Sequence, residues 1–369
     1  MSRPIFALAV AAALAAACGD ETPALDVRFE SAGPHPVGTR WTTQADDGRQ
    51  RMLTIQVWYP AVAAAAGEAA AGFPIEGLEP EPRRAAYADL LAEADPACPT
   101  RTAHAAVGAT IEPGGHPLVA FSHCHGCTRW SAMTIAERLA SHGFVVVAVD
   151  HDGNTLWNRL AGDNLPLDES TLALRVDDLT FAVDQVLAGA PFPELAAAID
   201  GGRRGVFGHS FGAVTAGLYA QRMELGGVFA LAAPMENPLL PGVSIASLAE
   251  PLGFLVARED NSVGEIGNIL LRNNFAAALG PAWKLEVADA GHWSVSDLVG
   301  VVPDLAPGCG AGTRQTDGAA FTYLDAATGR DLAAAHVTAF FAATLLDDPS
   351  GRAYLDAGRP TDLVTVERR

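Results

Sequence analysis

The segment GVFGHSFGAVTAGLYA, residues 205–220, decides how the rest of the chain is read. It joins a short apolar run to a helical stretch through Gly208-His209-Ser210-Phe211-Gly212, a G-x-S-x-G pattern in a strand-to-helix setting. A turn this sharp lifts Ser210 into strained backbone and brings neighbouring main chain close, so a side chain at 208 or 212 would clash. The serine then stands at a helix N-terminus, where the dipole favours developing negative charge. A chance glycine–serine turn would not need those flanks. The pattern predicts an α/β fold built around an exposed, activated hydroxyl.

Working outward, apolar runs alternate with helical ones. PLVAFSH (117–123), FVVVAVDH (144–151), GGVFALAAP (226–234), PLGFLVARED (251–260) and AWKLEVADAG (282–291) read as buried strands. Between them lie SAMTIAERLASHG (131–143), a stretch placing Leu172, Val176, Leu179, Val183 and Val186 on one face, EIGNILLRNNFAAAL (265–279) and DLAAAHVTAFFAATLL (331–346). Continuous apolar strands separated by helices predict a mostly parallel central sheet covered on both faces. Upstream, WTTQADDGRQRMLTIQVWYP (41–60) reads as two strands with a turn at Asp46-Asp47-Gly48. The domain is expected over 25–346, with an Ala-, Pro- and Gly-rich insertion at about 61–116, a long loop at about 294–323 and a C-terminal tail at 347–369.

A serine hydroxyl attacks only when a histidine takes its proton, and the histidine needs a carboxylate to fix its tautomer. In this architecture the order is Ser, acid, His, each at the end of a later strand. LGFLVARED ends in Asp260, and KLEVADAGHWS puts His292 after the next strand. Glu236, after the preceding strand, is the alternative acid; Glu259 would point to the other face, and Asp289 lies on the wrong strand. An oxyanion hole needs two backbone N–H groups, one from Phe211 and one from the loop after the third strand. That loop is FSHCHGC (121–127), and His125 is its expected donor.

The same loop invites rival readings. Strand, C-x-x-C, helix is also the arrangement of a thioredoxin-type dithiol, but no thioredoxin-like unit surrounds it. Zinc on His123, Cys124, His125 and Cys127 would need four ligands of one short loop to converge tetrahedrally. The preferred reading is a disulfide from Cys124 or Cys127 to Cys98 or Cys309. Trp130, Asp152, Trp157, His209 and Trp293 are candidate substrate-lining residues, with packing as the bland alternative and a strand-end contact the bland role for His209.

VAFSHCHGCTRWSAMTIAERLASHGFVVVAVDH followed by VFGHSFGAVTAG resembles the plasma-type platelet-activating-factor acetylhydrolase group of α/β-hydrolases and its bacterial esterase relatives. The upstream VGTRWTT…LTIQVWYP resembles the first hairpin of that group. The resemblance implies a calcium-independent serine hydrolase of short or oxidised acyl esters, with Ser210 as nucleophile, His292 as base and His125 and Phe211 at the oxyanion. Two departures matter. Eukaryotic members carry the acid after the GGVFALAAP-type strand, where this chain has Ala232, so the role passes to Asp260, as in bacterial polyester and triacylglycerol hydrolases. Glycine is also usual where Cys124 stands.

Composition bounds the rest. The 369 residues are 49% hydrophobic and carry a formal charge of −19 without a basic cluster, which argues against nucleic acid and anionic membrane as partners. Residues 1–18, MSRPIFALAVAAALAAAC, read as a signal peptide of lipoprotein type with Cys18 acylated, the alternative being plain secretion. An exported chain makes Cys98, Cys124, Cys127 and Cys309 an even set in an oxidising compartment. Such a chain is expected to act on a small-molecule or lipid ester, to need neither cofactor nor metal, and to meet a membrane only through its anchor. Nothing in the sequence gives an oligomeric state.

Overall fold

The computed structural model describes residues 26–67, 78–98, 103–357 and 363–369; the signal segment and Cys18 lie outside the described residues. The strands are β1 (Val37–Asp46), β2 (Arg51–Pro60), β3 (Ala106–Val107), β4 (His116–Ser122), β5 (Val145–Val149), β6 (Ile199–His209), β7 (Val228–Leu231), β8 (Leu252–Ala257), β9 (Ala282–Val287), the small hairpin β10 (Ala311–Thr313) and β11 (Ala320–Thr322), and β12 (Val364–Arg368). Among the helices are α1 (Arg83–Glu93), α2 (Met133–Ser141), α3 (Leu156–Ala161), α4 (Glu169–Leu187), α5 (Pro193–Ala198), α6 (Phe211–Ala220), α7 (Gly264–Ala277), α8 (Ala326–Leu345) and α9 (Pro349–Ala357).

Ten strands form one sheet in the order β12-β9-β8-β7-β6-β4-β5-β2-β1-β3. From β5 to β9 all neighbours are parallel, and β2 and β12 join antiparallel on either side. Successive residues of the central strands enter different cores. Val119, Phe121, Val146, Phe207 and Phe229 pack with α2 and α8, whereas Leu118, Ala120, Val145, Val206 and Val228 pack with α4, α6 and α7. That two-sided burial is why the strands read as unbroken apolar runs. The strand ends at β4, β6, β8 and β9 therefore open onto one rim, where parallel α/β sheets place their sites.

The structure departs from the sequence-based expectation in two places. Residues 347–369 are more than a tail: α9 buries Tyr354 and Leu355, and β12 pairs with β9 from Trp283 to Val287. The alternation VTVER is too short to announce a strand without its partner. The cysteines pair as Cys98–Cys309 and Cys124–Cys127, with Cα separations of 5.3 and 5.2 Å, so neither loop cysteine reaches the insertion or the long loop. The turn at His125-Gly126, with Gly126 at φ +64°, folds Cys127 back onto Cys124. The long loop and the insertion are instead tied directly to each other.

Candidate active site

Ser210 caps α6 from the end of β6 at φ 57° and ψ −122°. A Cβ on Gly208 would lie 1.9 Å from the Gly212 carbonyl oxygen, and one on Gly212 would lie 1.9 Å from that of Ser122. Both glycines are thus dictated by main chain, as the elbow predicts. The Ser210 N–H donates to the Leu231 carbonyl at 3.0 Å, which fixes the elbow to β7.

The sequence-predicted partners converge on this serine. His292 Nε2 lies 2.8 Å from Ser210 Oγ, and Nδ1 lies 2.7 Å from Asp260 Oδ2. Asp260 is fully buried, and its Oδ1 accepts from the N–H groups of Ser262 and Val263 at 3.0 and 2.9 Å. With the carboxylate so held, Nδ1–H donates to it and Nε2 keeps its lone pair for the hydroxyl proton. Glu236 is elsewhere, its Oε2 accepting from the Ile245 N–H at 2.7 Å. Glu259 and Asp289 both pair with Arg314.

The turn carrying His292 is braced by the long loop. Ser294 Oγ accepts from the Gly291 N–H at 2.9 Å and donates to the Gly308 carbonyl at 2.8 Å. His209 is buried behind the turn, its Nε2 2.9 Å from the His292 carbonyl, with the Trp293 ring edge-on to both imidazoles. Burial, and then the neighbouring His292, hold the His209 pKa well below the usual imidazole range. His209 is therefore a buried, neutral brace, in the strand-end position anticipated as its alternative role.

The loop FSHCHGC sits across the start of α6. His123 is fully buried; its Nε2 accepts from the His151 N–H at 3.1 Å, so the proton is on Nδ1, which donates to the Cys124 carbonyl at 2.7 Å. In a planar trans peptide the His125 N–H points opposite to that carbonyl, so the His123 ring sets its direction. Arg159 holds the far side, donating to the carbonyls of His125 and Gly126 at 2.9 and 3.2 Å. Among the described residues, neither the His125 N–H nor the Phe211 N–H has a hydrogen-bond acceptor. Burial first, and Arg175 next, lower the His123 pKa far below its ordinary value; burial also lowers that of His125.

Other anticipated lining residues divide. Trp130 is buried, donates to Glu79 at 3.0 Å and stacks edge-on against Tyr87, so it belongs to the core under the insertion rather than to a substrate wall. Asp152 lines a 270 Å³ cavity with Trp41, Glu79, Arg83 and Asp150. Trp157 is half-buried with Arg83 over its ring at 5.2 Å. Sequence reasoning passed over Arg175, whose guanidinium is wrapped beneath the loop. The available signal was an arginine one turn from Leu172 and Leu179, on the apolar face of α4.

A mostly parallel sheet with a strained serine at the rim, hydrogen-bonded in series to a histidine and a buried carboxylate, is the arrangement of the α/β-hydrolase fold, and this chain has that fold. The family model described as platelet-activating factor acetylhydrolase, isoform II, matches residues 26–163, a span that reaches the FSHCHGC loop but stops short of Ser210, Asp260 and His292. A solved ferulic acid esterase from Streptomyces cinnamoneus superposes with a TM-score of 0.68 at 26% identity, covering 91% of this chain and 97% of that one. No curated protein matches the chain. Together these likenesses make the protein a carboxylic ester hydrolase, similar to the acetylhydrolase group and to bacterial esterases.

Proposed function

We propose that this chain is an exported serine esterase of short-acyl or lipid-derived esters that works through an acyl-enzyme, with Ser210 as nucleophile, His292 as general base and acid, and Asp260 as its orienting carboxylate. The observation carrying the reading is the unbroken relay from Ser210 Oγ through His292 to Asp260, at 2.8 and 2.7 Å.

As Ser210 Oγ bonds to the ester carbonyl carbon, its proton passes to His292 Nε2 and the carbonyl π pair moves onto oxygen. The N–H groups of His125 and Phe211 receive that oxyanion, aided by the α6 dipole. Collapse expels the alkoxide, which takes the proton from His292. Water then repeats the sequence against the acyl-enzyme, with His292 again as base, and frees the acid and Ser210.

Export is supported by the signal-like residues 1–18 and by two disulfides among the described residues, which suit an oxidising compartment. Lipid anchoring at Cys18 rests on the sequence alone. The likeness to a ferulic acid esterase favours a second acyl class, aromatic acids, beside short aliphatic ones. Longer lipase- or polyester-type substrates rank lower. So does thiol redox, because Cys124 and Cys127 are fully buried, out of reach of a partner thiol or disulfide. The deciding experiment combines fluorophosphonate labelling and peptide mapping with a panel of p-nitrophenyl acetate, butyrate and palmitate plus methyl ferulate. Labelling at Ser210 with turnover of a short or aromatic ester is expected; absence of both would overturn the reading.

A further inference from the structure

Arg175 projects from α4 into the interior and has no solvent exposure. Its Nε donates to Thr215 Oγ1 at 3.1 Å, one Nη to Asn154 Oδ1 at 2.5 Å, and the other Nη to Ser122 Oγ at 3.1 Å and to the His123 carbonyl. Its Cζ lies 4.7 Å from the centre of the Phe211 ring. One side chain thus joins the end of β4, the turn after β5 and the first turns of α6.

All of those partners are neutral. Among the described residues no carboxylate comes within ion-pair distance of Arg175; Asp178, one turn along α4, is turned toward Arg49 at 2.7 Å, Arg51 at 2.9 Å and His151 at 3.4 Å. A buried cation with no carboxylate in contact is costly; Asp178 acts on it only from a distance, and here the cation also faces the positive end of α6. Burial pulls its pKa down, to about 9, which still leaves it charged at neutral pH. An ordinary structural arginine would be placed against an acid, and a chain of net charge −19 has acids to offer.

We propose that Arg175 is a positioning residue of the oxyanion hole: its hydrogen bonds hold the His123–His125 main chain against Phe211 at the mouth of α6, and its cation favours the anionic tetrahedral state over the neutral ester. Apart from the distant Asp178, the negative charge this cation would answer is the oxyanion, which exists only during reaction. The idea rests on the serine-esterase reading above. Arg175 touches no reacting atom and acts through His123, Ser122 and Phe211.

The test uses the full chain with Arg175→Met, Arg175→Lys and, as reference, Ser210→Ala. Measured are kcat and KM for p-nitrophenyl acetate, Tm, and inhibition by phenylboronic acid, whose adduct with a serine is a tetrahedral anion. Arg175→Met is expected to lower kcat by ~10–100-fold with KM within about threefold, because the loss falls on the transition state. Boronate affinity should fall in parallel with kcat, and Arg175→Lys should recover part of both at a Tm no higher than that of Arg175→Met. If Arg175→Met does not fold, the Lys variant alone decides, with about a tenfold fall in kcat and in boronate affinity at unchanged KM expected. Folded variants with native kcat, or a Lys variant no better than Met with kcat, KM and boronate affinity moving independently, would overturn the proposal. Activity surviving in Ser210→Ala would instead remove the serine reading beneath it.

Discussion

Ser210 occupies a backbone region that costs a non-glycine residue about 1–3 kcal/mol, and it stays there because Gly208 and Gly212 leave no space for the main chain to relax elsewhere. Replacing Gly212 with Ala should therefore abolish the elbow rather than merely weaken it. The added carbon would meet the Ser122 carbonyl at the start of the loop that bears the proposed oxyanion donor. A loss of ~3 kcal/mol or more, seen as a large fall in Tm together with lost fluorophosphonate labelling, is expected. At the relay, Asp260→Asn keeps the shape but replaces an acceptor with an amide that can present N–H to Nδ1, favouring the wrong tautomer. A fall in kcat of about 10⁴-fold with little change in Tm should follow. Glu236→Gln is the control: its carboxylate only caps the Ile245 N–H, so kcat should stay within about twofold. The reverse ranking of these two variants in a steady-state assay would move the acid to Glu236.

At the scale of elements, the two disulfides brace the rim in different ways. Cys98–Cys309 spans 211 residues and ties the insertion to the loop that braces His292, whereas Cys124–Cys127 spans three and encloses only His125 and Gly126. The chain-entropy model assigns about 5 kcal/mol to the first and about 2 kcal/mol to the second. The loop of the second is also held by Arg159, His123 and the Leu156 N–H on the Cys127 carbonyl at 2.7 Å. Cys98→Ala with Cys309→Ala should thus lower Tm by clearly more than Cys124→Ala with Cys127→Ala in paired calorimetric scans. This contrast also marks what could be read from sequence. The strands, the mostly parallel sheet and the proximity of Ser210, Asp260 and His292 were legible because local period, elbow glycines and chain order each constrain them. Cysteine pairing was not, because spacing cannot say whether a C-x-x-C turn closes on itself. Trp130 looked like a wall of the cleft until Glu79 and Tyr87, from far along the chain, covered it. The last strand reveals itself only through its partner β9, and Arg175 only through its burial among neutral partners with no carboxylate among the described residues in ion-pair contact.

Over the whole molecule, 43 acidic residues face 24 basic ones, so the cations are drawn into networks in which a loss of carboxylate charge is felt. Arg129 is buried between Glu79 and Asp150, Asp178 lies under Arg49 and Arg51, and Glu286 on β9 is bonded to Arg272 at 2.9 Å and Lys284 at 3.0 Å. For Glu286, burial alone would raise the pKa, but the hydrogen bonds from Arg272 and Lys284 together outweigh it and bring it down to about 2 from an ordinary 4.5. A carboxylate whose pKa is depressed on folding stabilises the fold at pH values above its unfolded pKa, and that stabilisation is lost as pH falls through the folded value. The window is accordingly pH 4.5 down to about 2. Because the partly solvated network is screened, its share is modest and best seen as a difference. Glu286→Gln should lower Tm at pH 7, and the gap from wild type should narrow steadily as pH drops below 4.5, closing near pH 2. A gap that stays constant across that range would mean that Glu286 contributes packing on β9 and no charge. The same β9 leads into the turn that presents His292, so acid loosening of this edge should reach the active site before the opposite edge of the sheet. Hydrogen exchange near pH 2 is expected to show earlier deprotection in β9 and β12 than in β1 and β2.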